Sequence, residues 1–171
     1  MEPEFIKSVE RKPDLSVIYI IDRDTDMSGY SFSTTELEYI QNQLKADKKA
    51  VSVNSYFKWS YLVLPEDDKN GYSVLESMRV QASRLYSSIR EHEHKDILVV
   101  DAANRPAWTG AFLEGLGLSH YQFDRHKSEG GRKLNHLEKV YVYSEGIPQN
   151  ALTELQMLVR AVHYARDLVN E

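Results

Sequence analysis

The chain has 171 residues, of which 42% are hydrophobic and 27% charged, a composition typical of one folded domain rather than a disordered chain. The absence of cysteine excludes a disulfide framework, a thiolate nucleophile and a cysteine-ligated zinc site. The net charge of -5 supplies no basic field for nucleic acid or anionic lipid. Because no apolar run approaches a membrane span of about 20 residues and no signal-peptide pattern is present, we expect a cytoplasmic protein without nucleic-acid or membrane partners.

The N-terminal part predicts two strands and a helix. Residues Phe5 to Val9 alternate weakly and predict an edge strand, whereas the Val- and Ile-rich run from Leu15 to Ile21 predicts a buried strand. Ser33 and Glu36 have the spacing of a capping box, which predicts a helix from Thr34 to Lys45.

The middle of the chain predicts a hairpin and a long helix. Two β-rich runs, Val51 to Tyr56 and Trp59 to Leu64, are close enough in sequence to predict antiparallel neighbours. A second capping-box pattern, Ser73 with Glu76, predicts the start of the next helix. Its apolar residues recur at helical spacing, and they are Leu75, Met78, Ala82, Leu85 and Ile89.

The following segment predicts a central strand and a third helix. The near-continuous apolar run from Ile97 to Val100 is typical of a strand that is covered on both faces. Asn104 and Pro106 predict the start of a helix, and Gly115 and Gly117 predict its end.

The C-terminal part predicts a strand from Lys139 to Ser144 and a long helix that begins at Pro148 to Asn150. One apolar stripe of this helix consists of Leu155, Leu158, Val162, Ala165 and Val169, and it is widened by Leu152, Val159 and Leu168. Because apolar residues lie on more than one face, we expect a further part of the protein to cover the helix. Strands that alternate with helices, together with one hairpin, predict an α/β three-layer sandwich: a mixed β-sheet flanked by helices.

No catalytic site is evident in the sequence. His92 and His94 are two positions apart, where helical side chains diverge, so we expect no metal site there. Asp101 follows the central strand, the place where open α/β sheets bind ligands, and Asn104, Arg105 and the more distant Asp22 are further candidates. No basic or nucleophilic partner lies at a recognisable spacing, so capping explains Asp101, Asn104 and Arg105 better than ligand binding does.

Two segments of the sequence form distinctive motifs. The motif residues of the first are Glu114, Gly115, Leu116, Tyr121, Phe123 and Lys127. The second reads Ala-Arg-Asp-Leu-Val-Asn-Glu, and its motif residues are Arg166, Asp167, Leu168 and Asn170. These segments resemble landmarks of the leucyl aminopeptidase family, also called cytosol aminopeptidases. Gln122 and His126 depart from the Arg and the aromatic residue usual in the family.

The resemblance implies an α/β N-terminal domain over residues 1–147, similar in layout to macro domains, and a linker helix over residues 148–171. That helix would lead to a catalytic domain absent from this chain. In the family, peptide hydrolysis uses two divalent metals, zinc or manganese, bound within a segment that reads Asn-Thr-Asp-Ala-Glu-Gly-Arg. This segment is absent here, so we assign no catalytic residue and no metal ligand.

The resemblance further implies partners and a role. The expected partners are the protein's own catalytic domain, other copies in a hexamer, and peptide substrates of the whole enzyme, with a role for this domain in assembly and in access to the active site. The alternative is a stand-alone macro-domain-like module that binds a nucleotide-type ligand through Asp22, Asp101, Asn104 and Arg105. No glycine-rich phosphate loop supports that alternative.

Overall fold

The computed structural model describes residues 2–12, 14–66, 71–122 and 135–170. In chain order, the elements are β1 (Glu4–Lys7), β2 (Ser16–Ile20), α1 (Thr34–Lys45), β3 (Ala50–Asn54), β4 (Trp59–Val63), α2 (Gly71–Glu91), β5 (Asp96–Asp101), α3 (Pro106–Ser119), β6 (Lys139–Tyr143) and α4 (Gln149–Asn170). Within these ranges, no helix is both long and apolar enough to cross a bilayer.

The strands form one mixed sheet in the order β1-β6-β5-β2-β4-β3. β3 runs antiparallel to β4, as the hairpin pattern predicts, and the other neighbours are parallel. β5 lies between β2 and β6, and its residues Ile97 to Val100 are fully buried, which confirms the predicted central strand. β1 is the predicted edge strand, although it ends at Lys7.

Alternate residues of the central strands face two separate cores, because successive side chains of a strand point to opposite faces. Ile18 and Val99 pack against α2, α3 and the first part of α4. Val17 and Leu98 pack with Ile40 of α1 on the other face. The α/β three-layer sandwich that the sequence predicts is therefore confirmed.

The glycines of α3 do not end the helix, so that prediction is wrong. α3 continues to Ser119, and a Cβ atom on Gly115 would lie 2.5 Å from the backbone oxygen of Arg79 in α2. A Cβ on Gly117 would lie 2.8 Å from Cγ2 of Val159 and 3.1 Å from Cζ of Phe5. Both glycines permit the close approach of other elements.

Two predicted helix starts also differ from the structure. α2 begins at Gly71, so Ser73 lies inside the helix rather than at its N-cap. The N-cap of α3 is Arg105, which makes no side-chain capping bond, and Asn104 instead adopts a left-handed backbone with φ of 52°. Pro106 starts this helix, where its missing N–H costs no hydrogen bond.

Two glutamines of α4 cover the open edge of β1. The amide group of Gln149 accepts a hydrogen bond from Lys7 N–H at 2.8 Å and donates one to the Phe5 carbonyl at 3.5 Å. Gln156 Oε1 accepts from Phe5 N–H at 3.1 Å. The side-chain amides thus take the place of a neighbouring strand, which protects the edge from pairing with another chain.

The face of α4 that packs on the domain differs from the predicted apolar stripe. Its buried residues are Leu152, Gln156, Val159 and His163. Leu158 and Val169, which belong to the predicted stripe, are instead 46% and 86% exposed. Two polar side chains occupy core-facing positions because one of them bonds the edge of β1 and both line a cavity.

Candidate functional site

The two motif segments contact each other in the folded chain. Their central contact joins two residues that are 46 positions apart in the sequence. Tyr121 Oη donates to Asp167 Oδ1 at 2.9 Å, and Asn170 Nδ2 donates to Tyr121 Oη at 3.1 Å. The guanidinium of Arg166 lies 5.4 Å from the centre of the Tyr121 ring and donates to the Leu118 carbonyl at 3.1 Å. We call Tyr121, Arg166, Asp167 and Asn170 the Tyr121 cluster.

Helical spacing explains how α4 contributes three members of the Tyr121 cluster. Asp167 and Asn170 are three positions apart and therefore lie on one side of α4, next to Arg166. Leu168 points away from the cluster and is 56% exposed. The contacts attach the C-terminal part of α4 to the end of α3.

The other described residues of the first motif bind α3 to α2. Glu114 Oε2 accepts hydrogen bonds from Arg79, with both Nε and Nη2 at 2.9 Å. These bonds raise the pKa of Arg79 above its ordinary value. Gly115 contacts the Arg79 backbone, and Leu116 is fully buried in the core. These positions serve packing and pairing, whereas Phe123 and Lys127 lie outside the described residues.

The candidate ligand residues at the carboxyl ends of the strands bond to their own neighbourhood. Asp22 Oδ1 accepts from Asp24 N–H at 3.1 Å and from the Thr25 hydroxyl at 2.6 Å. Asp101 accepts from Arg105 N–H and from the Ser144 hydroxyl, both at 2.8 Å. Asp22 therefore stabilises its own turn, whereas Asp101 stabilises the start of α3 and links the carboxyl ends of β5 and β6.

The cavity beside Asp22, at this edge of the sheet, is small. Arg105 lies over the Trp108 ring at 5.6 Å, and Asn104 forms the turn before α3. The cavity lined by Asp22 and Trp108 has a volume of about 40 Å³, against the about 300–1,000 Å³ of small-molecule sites. The geometry does not favour the nucleotide-binding alternative.

His92 and His94 converge, contrary to the sequence prediction. α2 ends at Glu91, and Glu93 has a left-handed backbone with φ of 52°, so the histidines do not have helical orientations. His92 Nδ1 and His94 Nε2 lie 3.0 Å and 2.9 Å from the buried Tyr61 Oη. Among the residues that the structure describes, no group of three His, Asp or Glu side chains could hold a metal ion.

We expect the protein to lose stability as the pH falls from about 7 to 5. Burial, followed by the neighbouring His92, lowers the pKa of His94 below its ordinary value. The unfolded chain therefore binds more protons once the pH falls through about 6.5, and the free energy of unfolding decreases until the folded-state pKa has been passed. Burial also lowers the pKa of His163, which contributes in the same direction.

Urea denaturation across this pH range measures the effect. His94→Gln should make the pH dependence shallower without abolishing it, because the lowered pKa of His163 still contributes. His136→Gln is the control, because this partly buried histidine lies outside the Tyr61 contact, 3.9 Å from Glu93. Equal slopes in wild type and His94→Gln would contradict the prediction.

A larger cavity, of about 860 Å³, lies at the amino ends of β1 and β6, where they meet α4. Gln156, only 9% exposed, lines it, and its buried Nε2 has no hydrogen-bond partner. Asn135 also lines the cavity, and its buried Oδ1 has no hydrogen-bond partner either. Sequence reasoning missed this cavity; the available signal was the two polar positions, Gln156 and His163, on the core side of α4.

No protein-family model matches the sequence, and no curated protein sequence matches it. Among solved structures, a mutant of tomato leucine aminopeptidase is similar, with a TM-score of 0.70 over 99% of this chain and 12% sequence identity. This chain spans 38% of the length of that protein. The likeness shows that the α/β fold of this chain is also the fold of one part of a leucine aminopeptidase.

Proposed function

We propose that this chain is the non-catalytic N-terminal domain of a leucine-aminopeptidase-like peptidase, with residues 1–147 as the domain and 148–171 as the helix toward a catalytic domain. The observation that carries the proposal is the fold likeness, which includes 99% of this chain and 38% of the tomato enzyme. The full protein would release N-terminal amino acids from peptides in the cytoplasm. Its two zinc or manganese ions would lie in the further domain, and its copies would form a hexamer.

The exposed apolar side chains of α4 support a further domain. The large ones are Met157, Leu158, Tyr164, Leu168 and Val169, with exposed fractions between 46% and 86%. Contiguous apolar surface on a folded domain marks an interaction site. In our proposal its occupant is the catalytic domain of the same chain.

The Tyr121 cluster supports a role in positioning that domain. Its hydrogen bonds hold the last turns of α4 on the end of α3, even though much of the helix surface there is exposed. A helix held in this way gives the following domain a fixed starting direction. This would let the N-terminal domain shape assembly and access to the active site.

Peptidase activity tests the proposal directly. The 171-residue chain is compared with the chain that includes whatever its gene encodes after residue 171, on a leucine chromogenic amide with added manganese or zinc. We expect hydrolysis only by the extended protein, because the metal-binding segment of the family is absent here. Activity of the shorter chain, or of neither, would contradict the proposal.

A matched pair of surface variants tests whether the apolar face of α4 is covered. Val169 and Val9 are 86% and 89% exposed in this chain. Val169→Glu should lower the melting temperature of the extended protein, whereas Val9→Glu should leave it unchanged. In the 171-residue chain, both should change stability by less than about 0.5 kcal/mol.

A further inference from the structure

The cavity at the amino ends of β1 and β6 combines the size of a small-molecule site with buried polar atoms that lack hydrogen-bond partners. Its volume of about 860 Å³ falls within the about 300–1,000 Å³ range of small-molecule sites. The Nε2 donor of Gln156 and the Oδ1 acceptor of Asn135 are buried in its wall without partners. Because buried polar groups are normally hydrogen-bonded, this donor and acceptor point to a ligand that offers both an acceptor and a donor.

Both unpartnered atoms are held in place by the other half of their amide groups. Gln156 Oε1 accepts from Phe5 N–H, which leaves Nε2 as the free donor. Asn135 Nδ2 donates to the His120 carbonyl at 2.6 Å, which leaves Oδ1 as the free acceptor. A carbonyl and an N–H group, the two polar groups of a peptide bond, satisfy such a pair.

The face of α4 that lines the cavity carries charged side chains of opposite sign. Gln156, Arg160, His163 and Asp167 line the cavity at positions i, i+4, i+7 and i+11 of α4, hence on one helix face. Arg160 and Asp167 are seven residues apart, or about 10 Å along the axis at a rise of 1.5 Å per residue. An extended peptide of about three residues has the same length, at 3.3–3.6 Å per residue.

We propose that this cavity binds a short peptide of about three residues, with its carboxylate at Arg160 and its ammonium group at Asp167. The Gln156 amide, one helical turn from Arg160, then donates to the same carboxylate, and Asn135 Oδ1 accepts from one of the N–H groups of the peptide. Glu2, whose Oε1 lies 3.6 Å from His163 Nδ1, also lines the cavity. The proposal concerns binding to this chain and does not require the peptidase function proposed above.

Calorimetric titration of the 171-residue chain with trialanine tests the proposal. We expect saturable binding of one peptide per chain, with a Kd of about 1 mM or tighter. Acetylated and amidated trialanine, which lacks both terminal charges, should bind at least about tenfold more weakly. Absence of saturable binding, equal binding of the capped peptide, or binding of AMP in place of the peptide would each overturn the proposal.

Substitutions that preserve side-chain size test whether the named residues of the cavity bind the peptide. Gln156→Glu keeps an oxygen acceptor for Phe5 N–H but removes the Nε2 donor, so trialanine should bind at least about tenfold more weakly. Gln41→Glu, an exposed position on α1 across the sheet, makes the same charge change and should bind as wild type does. If Gln156→Glu does not fold, Arg160→Gln replaces it, because this side chain is exposed. Wild-type affinity in the folded Gln156 or Arg160 variant would overturn the proposal.

Discussion

Gly115→Ala should destabilise the protein by about 1–3 kcal/mol, although alanine is normally the better helix former. An added Cβ would lie 2.5 Å from the carbonyl oxygen and 2.7 Å from the Cα atom of Arg79. These are backbone atoms, so no side-chain rotation relieves the overlap, and α2 and α3 must move apart. That movement also strains the ion pair between Arg79 and Glu114. Urea denaturation measures the change in the free energy of unfolding.

Gly110 of the same helix provides the control. A Cβ atom there would meet nothing within 4 Å. Gly110→Ala should therefore leave stability unchanged or raise it by up to about 1 kcal/mol, through helix propensity and the reduced entropy of the unfolded chain. If both variants had the same effect, backbone contact between α2 and α3 would not be the reason for glycine at position 115.

Leu85→Ala should cost about 2–5 kcal/mol of stability. Leu85 belongs to the apolar stripe of α2, is 7% exposed, and packs in the core between the sheet and helices α2 and α3. Truncation removes apolar contacts and leaves a cavity that the surrounding residues fill only in part. The denaturation midpoint should fall clearly below that of wild type.

Leu168→Ala is the control for side-chain truncation. Leu168 is 56% exposed on α4, so the same chemical change should alter the stability of this chain by less than about 0.5 kcal/mol. A wild-type midpoint for Leu85→Ala would show that α2 contributes little to the core.

The sequence by itself determined which helices and strands form and how they are layered, although not where α2 begins or where α3 ends. The Val- and Ile-rich run that became β2 and the 3.6-residue periodicity of α2 are local patterns, since neighbours two, three or four positions apart decide them. The capping box of α1 is equally local, and the structure contains both of its hydrogen bonds. Such signals predicted the mixed sheet with helices on both faces.

Only the tertiary structure decided where elements approach one another. Gly115 suggested a helix end, but its purpose is contact with Arg79 in another helix. His92 and His94 converge because α2 ends just before them and the hydroxyl of Tyr61 in β4 contacts a ring nitrogen of each. Backbone contact and side-chain convergence depend on residues far apart in sequence, so the periodicity of neighbouring residues does not predict them.

The candidate sites also depend partly on local sequence signals and partly on tertiary structure. The motifs around Tyr121 and Asp167 were each legible in the sequence, whereas their hydrogen bond exists only because α4 folds back on α3. The cavity beside Gln156 was not predicted, because polar residues such as Gln156 and His163 on the core side of α4 do not show which atoms surround them. Local spacing determined which residues share a face, and the packing of that face against β1 decided which of their atoms remain without a partner.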